Sequence, residues 1–410
     1  MRFVSRLVCV ACGKSAEAPR SAGTCPACND PFAILDIEFD MVRVAKSMTR
    51  SSLESRPLNH WRYHELLPIE PNEEAFAWPV GWTPIMDAPR LASWAGCRQL
   101  RVKDDGRNPT SSFKDRASSV GVLHAIQAKA SRIACASTGN AASSLAGYAA
   151  MAGIPATIFV PQRAPEPKVA QLLIYGADVR RVRGTYAQAY DLCSAECSKH
   201  GWYNRNCAIN PYLVEGKKTC GLEIAEQTAG REPDWVVISV GDGCTVAGVA
   251  KGLFQMKELG IIGRLPRVLG VQASGMDPVA RAFETGDLPK DYSGHTLADS
   301  IDVPVPRNWR KAIKYVKATN GAMNRVTDEE ITDAMKAAGR LAGIFAEPAA
   351  AASIAGVQRA VAEGLIGKGE DVLAVVTGNG LKDIKTAMAI AGQPTEVEPL
   401  NPASLREEGT

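Results

Sequence analysis

Lys114 directly follows an aromatic residue in the run Asn108-Pro109-Thr110-Ser111-Ser112-Phe113-Lys114-Asp115-Arg116. A lysine that opens a helix from a Ser/Thr-rich loop is a candidate Schiff-base amine. The hydroxyls and the helix N-terminus can hold an anion beside it. Most lysines are solvated surface charges, so this loop alone decides nothing. Three further loops offer related chemistry. Ser137-Thr138-Gly139-Asn140 precedes an Ala-rich stretch, Ala141–Ala152. Its amides and short polar side chains suit a carboxylate, and the same residues are good helix caps. Ser239-Val240-Gly241-Asp242-Gly243-Cys244-Thr245 is a glycine-rich turn whose amides can approach a phosphate. It lacks the spacing of a dinucleotide fingerprint. Val376-Thr377-Gly378-Asn379-Gly380-Leu381-Lys382-Asp383 is a fourth such turn.

A separate chemistry stands at the N-terminus. Cys9 with Cys12 and Cys25 with Cys28 form two C-x-x-C pairs. Four thiolates on two tight turns make a tetrahedral zinc site, which can fold a segment too short for its own core. Four unmetallated thiols are the plain alternative. The segment has few basic residues and no aromatic stacking surface, which argues against nucleic acid. Elsewhere Cys193 and Cys197, one turn apart, read as core, as do Cys135, Cys220 and Cys244. The five histidines form no triad or metal set; His124 and His200 lie outside every motif.

Positioning the four loops takes strands and helices in alternation. Ser131–Ala136, Ala156–Val160, Asp178–Val182, Trp235–Val240, Arg267–Gln272 and Val372–Thr377 read as buried strands, each followed by a helix-like stretch. That pattern predicts an α/β fold with mostly parallel sheets, in which active loops lie beyond the carboxyl ends of the strands. A chain of 410 residues allows two domains. The expected division is a zinc-ribbon-like segment at 1–40, a large α/β domain at 41–131 and 206–395, a small mobile one at 132–205, and a tail at 396–410. A net charge of +3 makes no case for nucleic acid or a membrane surface as partner. No apolar run is long enough to span a bilayer, and no signal peptide is read. Eleven cysteines in a chain this long fit a reducing compartment, so cytoplasm is expected.

Taken together, the loops resemble the fold-type-II pyridoxal-phosphate enzymes, and among them the threonine synthase family. The resemblance runs from about Trp61 to Asp383. It is carried by Asn108–Arg116, Ser137–Asn140, Asn210–Thr219, Glu347-Pro348 and Thr377–Asp383. It implies a tryptophan-synthase-β-like fold with its site in the cleft between two domains, and a homodimer. It implies that Lys114, with Phe113 beside it, carries pyridoxal 5'-phosphate as a Schiff base and later shuttles protons. Asn140 would meet the ring hydroxyl. Gly241, Asp242, Gly243, Cys244 and Thr245 would cradle the phosphate. Thr377 would meet the pyridine nitrogen, and a hydroxyl there favours elimination or replacement over transamination. Ser137, Thr138 and Gly139 would take the substrate's α-carboxylate.

The implied reaction is O-phosphohomoserine to threonine, a carbon–oxygen lyase chemistry on a small amino acid. This chain departs from the family where the substrate phosphate is held: Ala141, Cys207, Ala208 and Leu213 replace polar or charged residues. Trp82 enlarges the segment Val80-Gly81-Trp82-Thr83-Pro84. Either other cations hold the phosphate, with Arg205 and Lys217 or Lys218 the nearest, or the substrate is unphosphorylated. The second case describes a β-eliminating dehydratase or β-replacement synthase acting on serine-, threonine- or cysteine-like substrates. A non-enzymatic, cofactor-binding regulator is a third reading; intact Lys114, Asn140 and Thr377 argue against it.

Overall fold

Runs such as Trp-Val-Val-Ile-Ser at 235–239 have no polar face, so they are stable only where helices cover both sides of a sheet. The computed structural model describes residues 2–399 except 21, 22, 29, 163 and 165. Residues 400–410 of the expected tail lie outside this set, as does the side chain of Ala208. The N-terminal segment forms an antiparallel sheet, β1 (Val4–Cys9), β2 (Ser15–Ala16) and β3 (Leu35–Phe39), in the order β2-β1-β3. A second sheet opens with β4 (Ile85–Asp87) and β5 (Gln99–Asp104). The chain then builds a third sheet from β6 (Ile133–Ala136), β7 (Ala156–Pro161), β8 (Asp178–Val182) and β9 (Tyr203–Asn204). It returns to the second with β10 (Trp235–Ser239), β11 (Arg267–Ala273), β12 (Ala322–Val326) and β13 (Asp371–Val376).

The second sheet has the order β12-β11-β10-β13-β5-β4, parallel except for the edge strand β4. The third, β8-β7-β6-β9, is wholly parallel. The expected α/β class therefore holds. One strand reading needs correcting. Asp178–Val182 was expected to be buried, yet Asp178, Arg180 and Arg181 are exposed. β8 has a single neighbour, and its charges face water at the sheet edge.

Six helices matter for the site: α1 (Lys114–Gln127), α2 (Asn140–Met151), α3 (Pro211–Gln227), α4 (Cys244–Glu258), α5 (Trp309–Ala318) and α6 (Pro348–Ala362). Helices α3 and α4 pack backbone to backbone. A Cβ on Gly221 would lie 2.1 Å from the Val249 carbonyl, and one on Gly252 would lie 2.4 Å from that of Lys218. Only glycine permits this approach. It draws the side chains of α3 to the N-terminus of α4. Among the described residues no helix is long and apolar enough to cross a membrane.

Candidate active site

The four loops all follow carboxyl ends of strands: Lys114 after β5, Ser137 after β6, Gly241 after β10 and Thr377 after β13. Two of them are laced together. The Phe113 amide donates to the Thr377 carbonyl at 2.8 Å, and the Asn379 amide donates to Ser111 at 3.1 Å. Ser111 holds φ 64°, a costly conformation for a residue with a side chain. The lacing over-determines it and aims Lys114 at the head of α1.

Lys114 is half-buried. Its amine is pushed down to about 8, first by desolvation and then by the charge on Lys217, with a smaller push from Arg205. An amine so placed reaches its neutral, nucleophilic form near neutral pH. Glu347 faces it from the N-terminus of α6. Burial raises the Glu347 carboxyl above its usual range, against the stabilising bond from Asn140. Asn140 donates its amide to both Glu347 oxygens, at 2.8 and 3.0 Å. Gly378 makes room for that carboxylate, since a Cβ there would lie 2.3 Å from Glu347 Oε1. In this structure the Asn140 amide thus serves the carboxylate. Glu347 entered the sequence reading only as part of the Glu347-Pro348 motif of the resemblance, with no role; nothing local marked it as a neighbour of Lys114.

The Gly241–Thr245 turn is wedged between two loops. A Cβ on Gly241 would meet the Ser300 carbonyl at 3.0 Å, and Gly243, at φ 88°, would meet Asn308 and Ala312. The Asp242 carboxylate accepts from the Arg307 amide at 2.6 Å. Burial raises its pKa to about 6, with the nearby Cys207 charge adding to the shift. No side chain caps α4, so its first amides are left for an anion. The Ser137–Asn140 loop presents α2 in the same way: Gly139 is its N-cap and no side chain caps it. Ser112 Oγ, two residues before Lys114, is buried without a partner.

Two buried cations complete the group. Lys217 on α3 is 3 % exposed and Arg205 is 2 % exposed. Arg205 reaches Ser118 Oγ, one turn along α1 from Lys114, at 3.0 Å; its Nε has no partner. Burial pushes the Lys217 pKa down, but the nearby Cys207 sulfur outweighs it and leaves that pKa raised. Neither cation pairs with a carboxylate among the described residues. Cys207 lies against Cys244 and Val214. The adjoining Cys244 thiol, then the charges of Lys217 and Arg205, draw the Cys207 thiol well below its usual value against the cost of burial. Lys218, by contrast, pairs with Glu215 at 2.5 Å and lies over Phe39.

Two expected substrate residues are not brought to this group. Leu213 is fully buried against Gly121, two turns along α1. Trp82 stacks on the Arg62 guanidinium at 4.4 Å, and Arg62 is tied to Glu226. Ala141 and Thr138 stand half-buried at the start of α2. A hollow of about 310 Å³ beside Trp78, Leu123 and Ile154 carries none of these groups.

The four N-terminal cysteines converge: their sulfurs all lie within 4.8 Å of one another. The amides of Ala11 and Ala27 each donate to a cysteine sulfur at 3.4 Å, the arrangement of two metal-binding knuckles. The set fits a tetrahedral zinc ion.

Residues 78–378 match the family described as pyridoxal-phosphate dependent enzyme. The chain is 38% identical to a threonine synthase from Methanosarcina acetivorans, over 98% of each chain. It is 35% identical to one from Methanocaldococcus jannaschii, over 95% of this chain and 96% of that one. Among solved structures it resembles threonine deaminase isoform 2 from Solanum lycopersicum, with a TM-score of 0.66 at 23% identity over 76% of this chain and 88% of that one. Maize serine racemase gives 0.63 at 22%, over 72% and 89%. The two structures share the fold. An amine at Lys114, a glycine-lined anion cradle and an uncapped helix end suit that family's cofactor in both its aldehyde and its phosphate. With its curated relatives named threonine synthases, the chain belongs to the pyridoxal-phosphate dependent enzyme family.

Proposed function

We propose that the protein is a lyase of threonine-synthase type, acting by elimination or replacement on an amino acid whose side chain ends in phosphate, with O-phosphohomoserine the first candidate. One observation carries the choice of a phosphorylated substrate: Lys217 and Arg205 are buried beside Lys114, neither forms a salt bridge among the described residues, and the Cys207 sulfur is the negative group nearest Lys217. Burying a charge without a partner is costly, and an oxyanion arriving at that place removes the cost. Charge-assisted contacts of this kind are the strong ones. Bound pyridoxal phosphate supplies an electron sink at the substrate's α-carbon.

The chain's own residues do the rest. The Gly241–Thr245 amides would hold the cofactor's phosphate. The α2 end at Ser137, Thr138 and Gly139 would receive the α-carboxylate. Lys114 Nζ would be the base that takes the α-proton. Thr377 would offer the pyridine nitrogen a hydroxyl. Glu347 would steer Asn140 and the ring's oxygen side. Lys217 and Arg205 would hold the leaving phosphate.

A second reading, a dehydratase or β-replacement synthase working on unphosphorylated substrates, has its own support. Ala141 and Cys207 make the rest of the wall weakly polar. Steady-state kinetics separate the two. The holoenzyme should release phosphate from O-phosphohomoserine, and Lys217→Met should raise KM by about 10- to 100-fold, the loss of one charged contact. Turnover of serine or threonine with no phosphate released from phosphorylated amino acids would establish the second reading instead.

A further inference from the structure

The four-cysteine sheet reaches the active-site wall at two points. The first is Asp36 on β3, which is 1 % exposed. It accepts from Lys251 on α4 at 2.9 Å, and from Lys314 at 2.9 Å and the Tyr315 hydroxyl at 2.6 Å on α5. Lys251 also donates to Glu215 on α3 at 2.6 Å and to the Ile37 carbonyl at 2.6 Å. Lys218 pairs with the other Glu215 oxygen and lies 3.9 Å from the centre of the Phe39 ring on β3. Glu215 and Lys218 therefore hold one side of α3 against the cysteine sheet. Lys217, between them in sequence, faces α4 and Lys114.

The second point is the loop between the two cysteine pairs. The Gly23 amide donates to the Ile209 carbonyl at 2.7 Å, and the Tyr212 hydroxyl donates to the Pro19 carbonyl at 2.5 Å. Ile209 and Tyr212 lie on either side of Asn210, the N-cap of α3, three residues beyond Cys207. The Tyr212 ring stacks on His124 of α1 with centroids 3.6 Å apart. The segment from Cys207 to Lys218 is thus clamped at its start by one part of the cysteine module and along α3 by another. A metal ion held by the four sulfurs would join the two parts, because Cys9 and Cys12 come from one knuckle and Cys25 and Cys28 from the other.

We propose that the four-cysteine module is a brace for the substrate-side wall. Through Asp36 and the Tyr212–Pro19 contact it positions Cys207 and Lys217, so that its metal governs substrate affinity before it governs cofactor retention. The substrate-side assignment of Cys207 and Lys217 rests on the function proposed above. Tyr212 and Asp36 are positioning residues, since neither reaches the reacting atoms.

The test uses the full-length holoenzyme with Tyr212→Phe, which keeps the ring stack and removes one hydrogen bond, beside Asp36→Asn and wild type stripped with a strong chelator. Steady-state kinetics, the cofactor absorbance band and amide hydrogen exchange are read for each. The expected result is a KM raised about 3- to 10-fold in Tyr212→Phe, the scale of one lost hydrogen bond, with kcat within twofold and the band unchanged. Stripping the metal should raise KM further. In each case exchange should quicken in residues 207–218 ahead of the two larger sheets. Wild-type exchange and KM in both Tyr212→Phe and the stripped enzyme would overturn the brace. So would exchange that quickens evenly through the whole chain. Faster exchange confined to 207–218 with an unchanged KM would uphold the brace and refute the substrate-side reading of that wall.

Discussion

Helices α1 and α3 carry two charge clusters within a few residues of each other, and they are built in opposite ways. In one, Arg116 reaches Asp105 at 2.6 Å and Glu223 at 2.6 Å, Lys103 lies 3.0 Å from Glu223, and all four side chains are fully buried. Every cation has its carboxylate. In the other, Lys114, Lys217 and Arg205 lie close enough to lower the Lys114 pKa, with Glu347 the facing acid. There no cation forms a salt bridge among the described residues, and the negative groups nearby are Glu347, the Cys207 sulfur and, beside Lys217, Asp242. Saturated buried charge specifies a packing arrangement; unsaturated buried charge marks where a ligand's charge is expected. Two residues of sequence, Lys114 to Arg116, separate the two uses.

That contrast can be broken from either side. The largest effect belongs to Lys114→Ala, which should cost at least ~10³-fold in turnover, in the range of a lost proton-transfer group, while leaving the thermal midpoint nearly unchanged. Kinetics and calorimetry on one preparation check both halves. In the saturated cluster the outcome should reverse. Glu223→Ala removes the only carboxylate paired with Lys103 among the described residues and one of the two on Arg116, and should destabilise the fold by about 3–5 kcal/mol, the scale for a broken buried pair, as read from denaturant midpoints.

A subtler effect sharpens the second cluster. Lys217 depresses the Lys114 pKa, so Lys217→Met should raise it. Cofactor uptake by apoenzyme needs the neutral amine, so its rate should climb through about pH 8 in wild type and at higher pH in the variant. Stopped-flow uptake across pH 6–10 tests this; an unshifted profile would show that Lys217 does not face Lys114. The smallest effect is at Trp82. Its stack on Arg62 predicts that Trp82→Ala lowers stability by about 0.5–2 kcal/mol, the worth of a cation–π contact, with KM unchanged. A large KM change would return Trp82 to the substrate pocket.

The strands at 133–136, 235–239 and 267–273 were legible because short, mostly apolar runs bounded by turn residues and alternating with Ala-rich helical stretches admit few other readings. The loops after them were legible because glycine and short polar residues cluster where strands give way to helices. Other features depend on distant pairings. Asp36 meets Lys251 and Lys314 more than two hundred residues away, and Asn140 meets Glu347 at a similar separation. No periodicity encodes such partners. The Lys217-Lys218 doublet shows the same limit at short range. One lysine pairs with Glu215 and the other faces the site, and only the packing of α3 on α4 separates them. Leu213 and Trp82 were placed by motif position, whereas the close approach at Gly121 and the Arg62 stack direct their side chains elsewhere.

The central claim is that the unsaturated cluster exists for a phosphorylated amino acid. It is tested most directly by titrating the holoenzyme's cofactor absorbance with O-phosphohomoserine and, separately, with homoserine. The account predicts a spectral change half-complete at a concentration at least about tenfold lower for the phosphorylated compound, the worth of one charge-assisted contact. Equal half-points, or a preference for the unphosphorylated amino acid, would contradict it.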